Sequence, residues 1–236
     1  MTEPLLAASN LRRTFGGITA LDGVSLDVAH GDLRCIIGPN GAGKSTLFNI
    51  LCGTLRPSLG HVLFEGHDIT RLPIHHYARV GIARKFQVPS VFETMTVEDN
   101  LAVSSLHATP AEAVADLARL LHLLGLEPVA GMLAGDLAHG QKQWLEIGMA
   151  LMSRPKLLLL DEPTAGMSVE ETRRTADLLL SLKGSVTIIT IEHDMHFVRA
   201  LDCRTMVLHQ GAVIAEGPFA EIERNETVRD VYFGRH

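Results

Sequence analysis

Hydrophobic and polar positions recur along the chain with two periods, and together they predict an α/β protein. Short apolar runs bounded by glycine and polar residues predict strands at residues 5–11, 24–28, 33–37, 61–64 and 82–86. Residues 44–51 carry apolar side chains at helical spacing. Runs that are apolar throughout are typical of strands covered on both faces. We therefore expect a largely parallel sheet between layers of helices.

The pattern after residue 87 is helical. Threonine-led capping sequences predict helix starts at residues 96–99 and 109–112, and a further helix is predicted at residues 140–153. Strands and helices alternate again further on, with strands at 156–161 and 185–191, a helix at 169–182 and a hairpin of 204–208 and 212–216. We therefore expect one domain, residues 1–236, whose core (1–87 and 154–236) carries a helical insertion at residues 88–153.

Composition narrows the classes of function. Apolar residues make up 46% of the 236 residues, which is typical of a folded domain, and no run approaches the roughly 20 apolar residues that cross a bilayer. Lys and Arg number 21 against 27 Asp and Glu, and the net charge of −6 argues against a general nucleic-acid-binding protein. The N-terminus shows no signal-peptide pattern. Because Cys35, Cys52 and Cys203 lack metal-ligand spacing, we expect reduced thiols in the cytosol.

A glycine-rich motif between a predicted strand and a predicted helix indicates a polyphosphate ligand. It matches G-x-x-x-x-G-K-[ST] in full, as Gly38, Pro39, Asn40, Gly41, Ala42, Gly43, Lys44 and Ser45. Glycines let the backbone curl until several N–H groups converge, and the following helix adds the positive end of its dipole. We expect Lys44 to reach the β- and γ-phosphates and the Ser45 hydroxyl to bind Mg²⁺.

Two later strands end in polar residues. Asp161 and Glu162 follow a leucine-rich strand, where Asp161 would complete the Mg²⁺ shell and Glu162 would polarise the attacking water. His193 follows the next strand and could hydrogen-bond the γ-phosphate. A metal site of His193 and His196 is the less favoured alternative, because no third ligand is placed to close it.

These residues, in this order, make the chain resemble the nucleotide-binding subunit of an ATP-binding-cassette (ABC) transporter over nearly its whole length. The resemblance implies a P-loop NTPase (RecA-like) core with an N-terminal antiparallel β subdomain and an inserted α-helical subdomain. It implies that Phe15 stacks on adenine, that Gln87 joins Ser45 and Asp161 at Mg²⁺, and that His193 is the switch histidine. The implied ATP-binding set extends through Thr46, and the implied signature motif comprises Leu137, Ala138, His139, Gly140 and Gln141.

The resemblance also implies a Mg²⁺-dependent ATPase that is coupled to transport. Two subunits would face each other head to tail around two ATP molecules, so that each site joins the phosphate loop of one subunit to the signature of the other. The second ATPase subunit would be a non-identical paralogue or a second copy of this chain. The pair would drive membrane permease subunits at the cytoplasmic face of the bacterial inner membrane, served indirectly by a periplasmic binding protein.

Finer features resemble subunits that import branched-chain amino acids and urea. They lie at residues 12–17, residues 84–87 and the C-terminal residues 232–236. Because residues 140–149 look most like the branch for urea and short amides, we expect that cargo, with branched-chain or other hydrophobic amino acids as the alternative. A regulatory subunit that hardly hydrolyses ATP, a lipid exporter and a DNA-repair ATPase are less favoured classes.

The chain departs from the family pattern at positions that act on the partner's ATP. Ala138 replaces the signature serine, His139 replaces a glycine, and Ser168 stands where the D-loop aspartate is usual. A lost hydrogen bond costs about 0.5–1.5 kcal/mol, or up to about 3 when the acceptor is charged, which is roughly tenfold in affinity or rate. We therefore expect the site completed by this chain's signature to be the weaker of the two.

Overall fold

Two β-sheets form the framework of the structure, a computed structural model that describes residues 3–85, 90–105 and 109–233. The strands are β1 (Leu6–Phe15), β2 (Ile18–Val28), β3 (Leu33–Ile37), β4 (Leu59–Phe64), β5 (His67–Asp68), β6 (Ile82–Lys85), β7 (Leu157–Asp161), β8 (Thr187–Ile191), β9 (Arg204–His209) and β10 (Ala212–Pro218). The helices are α1 (Lys44–Leu51), α2 (Tyr77–Val80), α3 (Val97–Val103), α4 (Pro110–Leu124), α5 (His139–Met152), α6 (Val169–Leu182), α7 (Met195–Leu201), α8 (Phe219–Ile222) and α9 (Glu226–Phe233).

The larger sheet has six strands in the order β10-β9-β3-β8-β7-β6. Neighbouring strands in it run parallel, except in the antiparallel β9–β10 hairpin. The smaller sheet is antiparallel, with the order β2-β1-β4-β5. This arrangement confirms the predicted α/β architecture with an antiparallel N-terminal part.

The larger sheet separates two hydrophobic cores, because successive side chains of a strand point to opposite faces. On β7, Leu157 and Leu159 join the core shared with the smaller sheet and α1. Leu158 and Leu160 join the core on the other face, together with α5, α6 and α7. All four leucines are fully buried. Burial on both faces explains why this strand is apolar until its last residue.

Helices α3, α4 and α5 pack against one another and contribute to the second core. A close approach lies at Gly148 of α5, where a Cβ atom would overlap Leu124 of α4 and would lie 2.9 Å from Leu101 of α3. Both leucines are buried. Packing therefore requires a glycine here, although glycine lowers the stability of a helix interior.

The two predicted capping sequences differ in how far they are completed. At α4, Thr109 accepts a hydrogen bond from the Glu112 N–H, and Glu112 accepts one from the Thr109 N–H at 2.8 Å. At α3, Thr96 accepts from the Asp99 N–H at 3.1 Å, and the shorter Asp99 side chain accepts the Thr96 hydroxyl instead of the backbone N–H. Of these two helices, α4 therefore begins with a reciprocal capping box and α3 does not.

The structure departs from the sequence-based boundaries in identifiable places. β1 and β2 extend beyond the predicted runs, because their far ends pair through register shifts and carry mostly exposed side chains. α5 begins at His139 rather than at the expected Gly140, since the Gln141 side chain accepts the Ala138 N–H at 3.1 Å. Short helices such as α7 were not predicted, because they are brief and lack a long apolar repeat.

Within the described ranges, no helix has the length and apolar character needed to cross a bilayer. The cysteines Cys35, Cys52 and Cys203 are free and buried.

We predict that Gly148→Leu destabilises the fold, because the added side chain must displace Leu124 and Leu101. Overpacking of a filled core typically costs about 1–3 kcal/mol in the free energy of unfolding. Urea denaturation followed by circular dichroism measures the change. The control is Ala102→Leu at an exposed position of α3, for which we expect a change within about 0.5 kcal/mol. Equal midpoints for the two variants would contradict the close packing at Gly148.

Candidate functional site

The predicted site segments meet at one edge of the larger sheet. β3, β8 and β7 are adjacent and parallel, so their C-terminal ends lie side by side. The glycine-rich loop follows β3, Asp161 ends β7, and His193 lies just beyond β8. This edge of a parallel sheet is where open α/β proteins bind ligands. Topology alone therefore brings the loop, the acids and the histidine together.

The loop has the curled conformation that its glycines permit. Gly41 and Gly43 have φ angles of +79° and +104°, which residues with a Cβ rarely adopt. Gly38 packs so closely on Leu208 that a Cβ atom would overlap the Leu208 carbonyl oxygen. A Cβ atom at Gly43 would lie 2.6 Å from the Ala20 carbonyl oxygen. At Gly41 a Cβ atom would meet nothing within 4 Å, so this side of the loop is open.

The back of the loop is tied to both sheets. The Gly211 N–H, in the β9–β10 turn, donates to the Ala42 carbonyl at 3.0 Å. The Gly211 carbonyl in turn accepts the Asp22 N–H of β2 at 2.8 Å. Asn40 is exposed and Pro39 is half-buried on the loop's outer side. The loop is thus fixed from behind and open in front.

Lys44 is held inside the curled loop. It is 7% exposed, and its Nζ donates to the carbonyls of Gly38 at 2.6 Å and Pro39 at 3.1 Å. Burial lowers the pKa of Lys44, while the charges of Glu162 and Asp161 raise it. An ammonium whose partners are neutral carbonyls fits a phosphate ligand, because a charged acceptor forms the stronger hydrogen bond.

The oxygen donors beside the loop fit a magnesium ion. Ser45 lies exposed in the first turn of α1, followed by the half-buried Thr46. Burial raises the pKa of Asp161, and the neighbouring carboxylate of Glu162 raises it further. A divalent cation would relieve that repulsion, and hydroxyl and carboxylate oxygens are ligands that Mg²⁺ prefers.

Glu162 and His193 contact each other across the strand ends. Glu162 Oε1 lies 3.3 Å from His193 Nδ1. The Glu162 backbone has a φ of +46°, an uncommon value for a residue with a side chain, and its N–H donates to the Ile191 carbonyl at 3.0 Å. The structure therefore brings the predicted water-polarising acid and the predicted switch histidine together.

The alternative metal site at His193 and His196 gains no support. The His196 N–H donates to the Asp194 side chain at 2.8 Å, in the cap of α7. Among the residues that the structure describes, no group of three or more His, Cys, Asp or Glu side chains could hold a metal ion.

Sequence reasoning missed the role of Glu192, which is 0% exposed at the end of β8. Its Oε1 accepts the Thr164 hydroxyl at 2.8 Å and the Thr164 N–H at 3.3 Å, and its Oε2 accepts the His193 N–H at 3.2 Å. Burial raises the pKa of Glu192, although the hydrogen bonds from Thr164 lower it. Glu192 thus joins the turn after Glu162 to His193. A charged residue directly after the apolar run of β8 was the available signal.

Phe15 lies at the end of β1 and is 44% exposed. The Arg13 guanidinium lies 4.6 Å from its ring centroid, within reach of a cation–π interaction. Arg13 is itself anchored, since its Nη1 donates to the Arg56 carbonyl at 2.9 Å. The remaining exposed ring surface fits base stacking.

The signature residues form the start of α5. Ala138 and His139 are exposed, whereas Leu137 and Gly140 are buried. His139 Nε2 donates to the Ala165 carbonyl at 2.9 Å, because a carbonyl can only accept. The structure therefore links the signature to the D-loop of the same chain, a contact that the sequence did not reveal.

The neighbouring D-loop residue Ser168 has a structural role. Its hydroxyl caps α6 by accepting the Glu171 N–H at 3.3 Å, and Glu171 accepts the Ser168 N–H at 2.8 Å. A Cβ atom at Gly140 would overlap the Glu171 side chain. The glycine of the signature therefore leaves room for the Glu171 side chain that caps α6.

Gln87, predicted as a catalytic and Mg²⁺-binding residue, lies outside the described residues. Just before it, Lys85 is buried and lies 3.5 Å from Glu146 Oε2 of α5. Burial lowers the pKa of Lys85 and raises the pKa of Glu146, and the attraction between the two opposes both shifts. Glu146 also accepts the Ser90 N–H. Both ends of the Gln87 segment are therefore connected to the helix that begins with the signature.

Comparison with known families agrees with this geometry. A family described as ABC transporter matches residues 21–165, and one described as Branched-chain amino acid ATP-binding cassette transporter matches residues 212–236. The chain is 38% identical to the high-affinity branched-chain amino acid transport ATP-binding protein BraF of Pseudomonas aeruginosa, over 99% of both chains. It is 36% identical to the similarly named LivG of Escherichia coli, again over 99% of both chains.

Solved structures show the same likeness. The ADP conformation of MJ1267, an ATP-binding cassette of an ABC transporter, has a TM-score of 0.87 and 34% identity, covering 99% of this chain and 100% of that one. A nucleotide-free ATP-binding cassette from an ABC transporter has a TM-score of 0.86 and 33% identity, covering 98% and 100%. The chain therefore belongs to the ABC transporter family, as a Mg²⁺-dependent ATP-hydrolysing subunit that works with membrane permease subunits and a second ATPase subunit.

Proposed function

We propose that this chain is an ATPase of an importer for branched-chain aliphatic amino acids, peripheral on the cytoplasmic face of the bacterial inner membrane. The observation that carries the ATPase assignment is the meeting of the phosphate loop, Asp161, Glu162 and His193 at one sheet edge, with Glu162 and His193 3.3 Å apart. The cargo is inferred from the names of BraF and LivG and from the family match at residues 212–236.

In this proposal the chain's own residues divide the work of binding. Backbone N–H groups between residues 40 and 46 and the Lys44 ammonium hold the phosphates, and Phe15 stacks on the adenine. Ser45, Asp161 and Gln87 hold Mg²⁺, which supplies positive charge at the phosphates when bound. The tie between the loop and Gly211 keeps the phosphate-binding N–H groups in place.

Glu162 orients the attacking water and accepts its proton, and His193 hydrogen-bonds the γ-phosphate. The contact between them supports this division, because His193 Nδ1–H orients the Glu162 carboxylate while Nε2 stays available. Glu192 holds both groups through Thr164 and the His193 N–H. The geometry therefore suits acid–base chemistry on a water molecule.

A separate segment at the start of α5 is the candidate for acting on the partner's ATP. We propose that Ala138, His139 and the N-terminus of α5 face the γ-phosphate in the second subunit. Ala138 has no hydroxyl to offer. The ring Nε2–H of His139 already donates to the Ala165 carbonyl of the same chain. This supports a weaker site where this chain supplies the signature.

We further propose that residues 88–153 act as the unit that passes motion to the permease, with residues 1–87 and 154–236 as the nucleotide-binding core. The buried Lys85–Glu146 pair supports the passing of motion between the two parts, because it connects the core strand β6 to α5 of the insertion. A displacement of the strand end would therefore be felt by the signature helix.

Urea and short amides, expected from residues 140–149, are not supported by the relatives above, which are named for branched-chain amino acids. The test uses proteoliposomes that hold the permease and both ATPase subunits, with the binding protein added outside. We expect uptake of labelled leucine that depends on internal ATP. Urea uptake without leucine uptake would refute the proposed cargo.

We predict that Glu162→Gln lowers steady-state ATP hydrolysis by at least about 100-fold, the usual contribution of a general base. ATP binding should persist, because the substitution leaves the phosphate loop intact. Phosphate release and equilibrium binding of ATP measure the two effects. Glu221→Gln, an exposed change on α8, serves as the control and should keep the rate. An unchanged rate in Glu162→Gln would end the catalytic assignment of Glu162, whereas hardly any hydrolysis by the unsubstituted chain would favour the regulatory alternative.

We predict that Ala138→Ser raises ATP hydrolysis by the assembled ATPase pair about three- to tenfold, because it restores a hydrogen-bond donor to the partner's phosphate. The same serine caps α5 and should raise the free energy of unfolding by about 0.5–2 kcal/mol. Ala102→Ser at an exposed site on α3 is the control for both measurements. Higher stability with an unchanged rate would show that position 138 does not limit the weaker site.

A further inference from the structure

The C-terminal helix α9 packs beneath the start of the phosphate loop. Tyr232 of α9 packs on the second core, which includes Ile37, the last residue of β3. Tyr232 and Ile37 line a cavity of about 90 Å³ together with Met195 and Val228. Because Gly38 directly follows Ile37, the Tyr232 side chain lies next to the first glycine of the loop.

The Tyr232 hydroxyl is buried and has no hydrogen-bond partner within the part of the chain that the structure describes. Burial raises the pKa of Tyr232, and the Cys35 thiol raises it further, whereas the backbone amide of Gly38 lowers it. An N–H group lowers the pKa of a phenol when it points at the phenol oxygen. The hydroxyl therefore lies near the Gly38 amide, and no hydrogen bond between the two groups meets the usual geometry.

The α-carbon and the carbonyl of Gly38 also have close neighbours, and nucleotide binding would change the partner of the carbonyl. Its α-carbon packs against the Leu208 carbonyl, and its own carbonyl accepts Lys44 Nζ at 2.6 Å. A phosphate competes for Lys44 as a charged acceptor. When Lys44 turns to a phosphate, the Gly38 carbonyl loses its ammonium partner. The Tyr232 hydroxyl is then placed to hold the glycine from its N–H side.

We propose that Tyr232 is a positioning residue for ATP binding. Its hydroxyl accepts the Gly38 N–H as the loop closes around the triphosphate, and this bond fixes the first peptide of the loop. Tyr232 acts through Gly38 and does not touch the nucleotide. The inference rests on the proposed ATP site, and it gives the C-terminal segment a part in nucleotide binding.

The test compares Tyr232→Phe with Tyr77→Phe, both made in the Glu162→Gln protein so that ATP is not consumed. Tyr77 is the other tyrosine of the chain; it is buried, and its hydroxyl donates to the Ile69 carbonyl at 3.2 Å. We expect Tyr232→Phe to raise the Kd for Mg-ATP about three- to tenfold in isothermal titration calorimetry, as for the loss of one hydrogen bond. Tyr77→Phe should leave this Kd unchanged.

Two further readouts separate positioning from simple packing. Without nucleotide, Tyr232→Phe should keep or raise the urea midpoint, because it removes a hydroxyl that has no partner, whereas Tyr77→Phe should lower it. With ATP bound, hydrogen exchange in peptides spanning residues 33–43 should be faster in Tyr232→Phe than in Tyr77→Phe. A lower midpoint with unchanged exchange would assign Tyr232 to packing alone and overturn the proposal.

The outcomes also separate this inference from the proposed ATP site. If Tyr232→Phe binds Mg-ATP within twofold of the parent Glu162→Gln protein, the positioning role is overturned and the ATP site stands. If the parent protein itself binds no Mg-ATP, the ATP site is refuted, and the role of Tyr232 is refuted with it.

Discussion

Parallel pairing of β3, β8 and β7 governs where the chemistry of this protein can lie. The three strands leave the sheet at the same edge, so the loop after β3 and the residues after β7 and β8 are neighbours. Each strand is covered on both faces and is therefore mostly apolar, and carboxylates and the histidine come only at or after the strand ends. The same burial that stabilises the sheet concentrates Asp161, Glu162, Glu192 and His193 at its edge.

Below that edge, the protein holds several charged groups out of water. Lys44, Lys85, Glu146 and Glu192 are all buried. Each has a partner on another segment: Lys44 on the loop carbonyls, Lys85 on Glu146, and Glu192 on Thr164 and the His193 N–H. A buried charge is tolerated only while its partners stay in place, so such groups favour one arrangement over others. These partners therefore help to fix the positions of the loop and of the residues at the strand ends.

The sequence predicts many of the local elements of this arrangement. It does not predict the contacts between segments that are distant along the chain. β3, α1 and α6 lie at their predicted bounds, because their apolar periodicity, glycines and caps all agree. A motif marks the glycine-rich loop in the sequence, and the end of an apolar strand marks Asp161 and Glu162. Contacts between distant segments were not found: His139 with Ala165, Glu192 with Thr164, and Lys85 with Glu146. No local pattern encodes such pairs, since each depends on how two separate elements pack.

The chemistry of the three native thiols has a practical consequence. Burial raises the pKa of Cys35 well above its usual value, that of Cys52 to about 12 and that of Cys203 to about 11. Thiolate is the reactive form, so a maleimide reagent meets almost none of it in the folded chain at neutral pH. A single cysteine introduced on the surface would therefore carry a spin label or fluorophore selectively, and the three native cysteines would not first need to be replaced. Distances between two subunits during turnover become accessible in an otherwise unaltered protein.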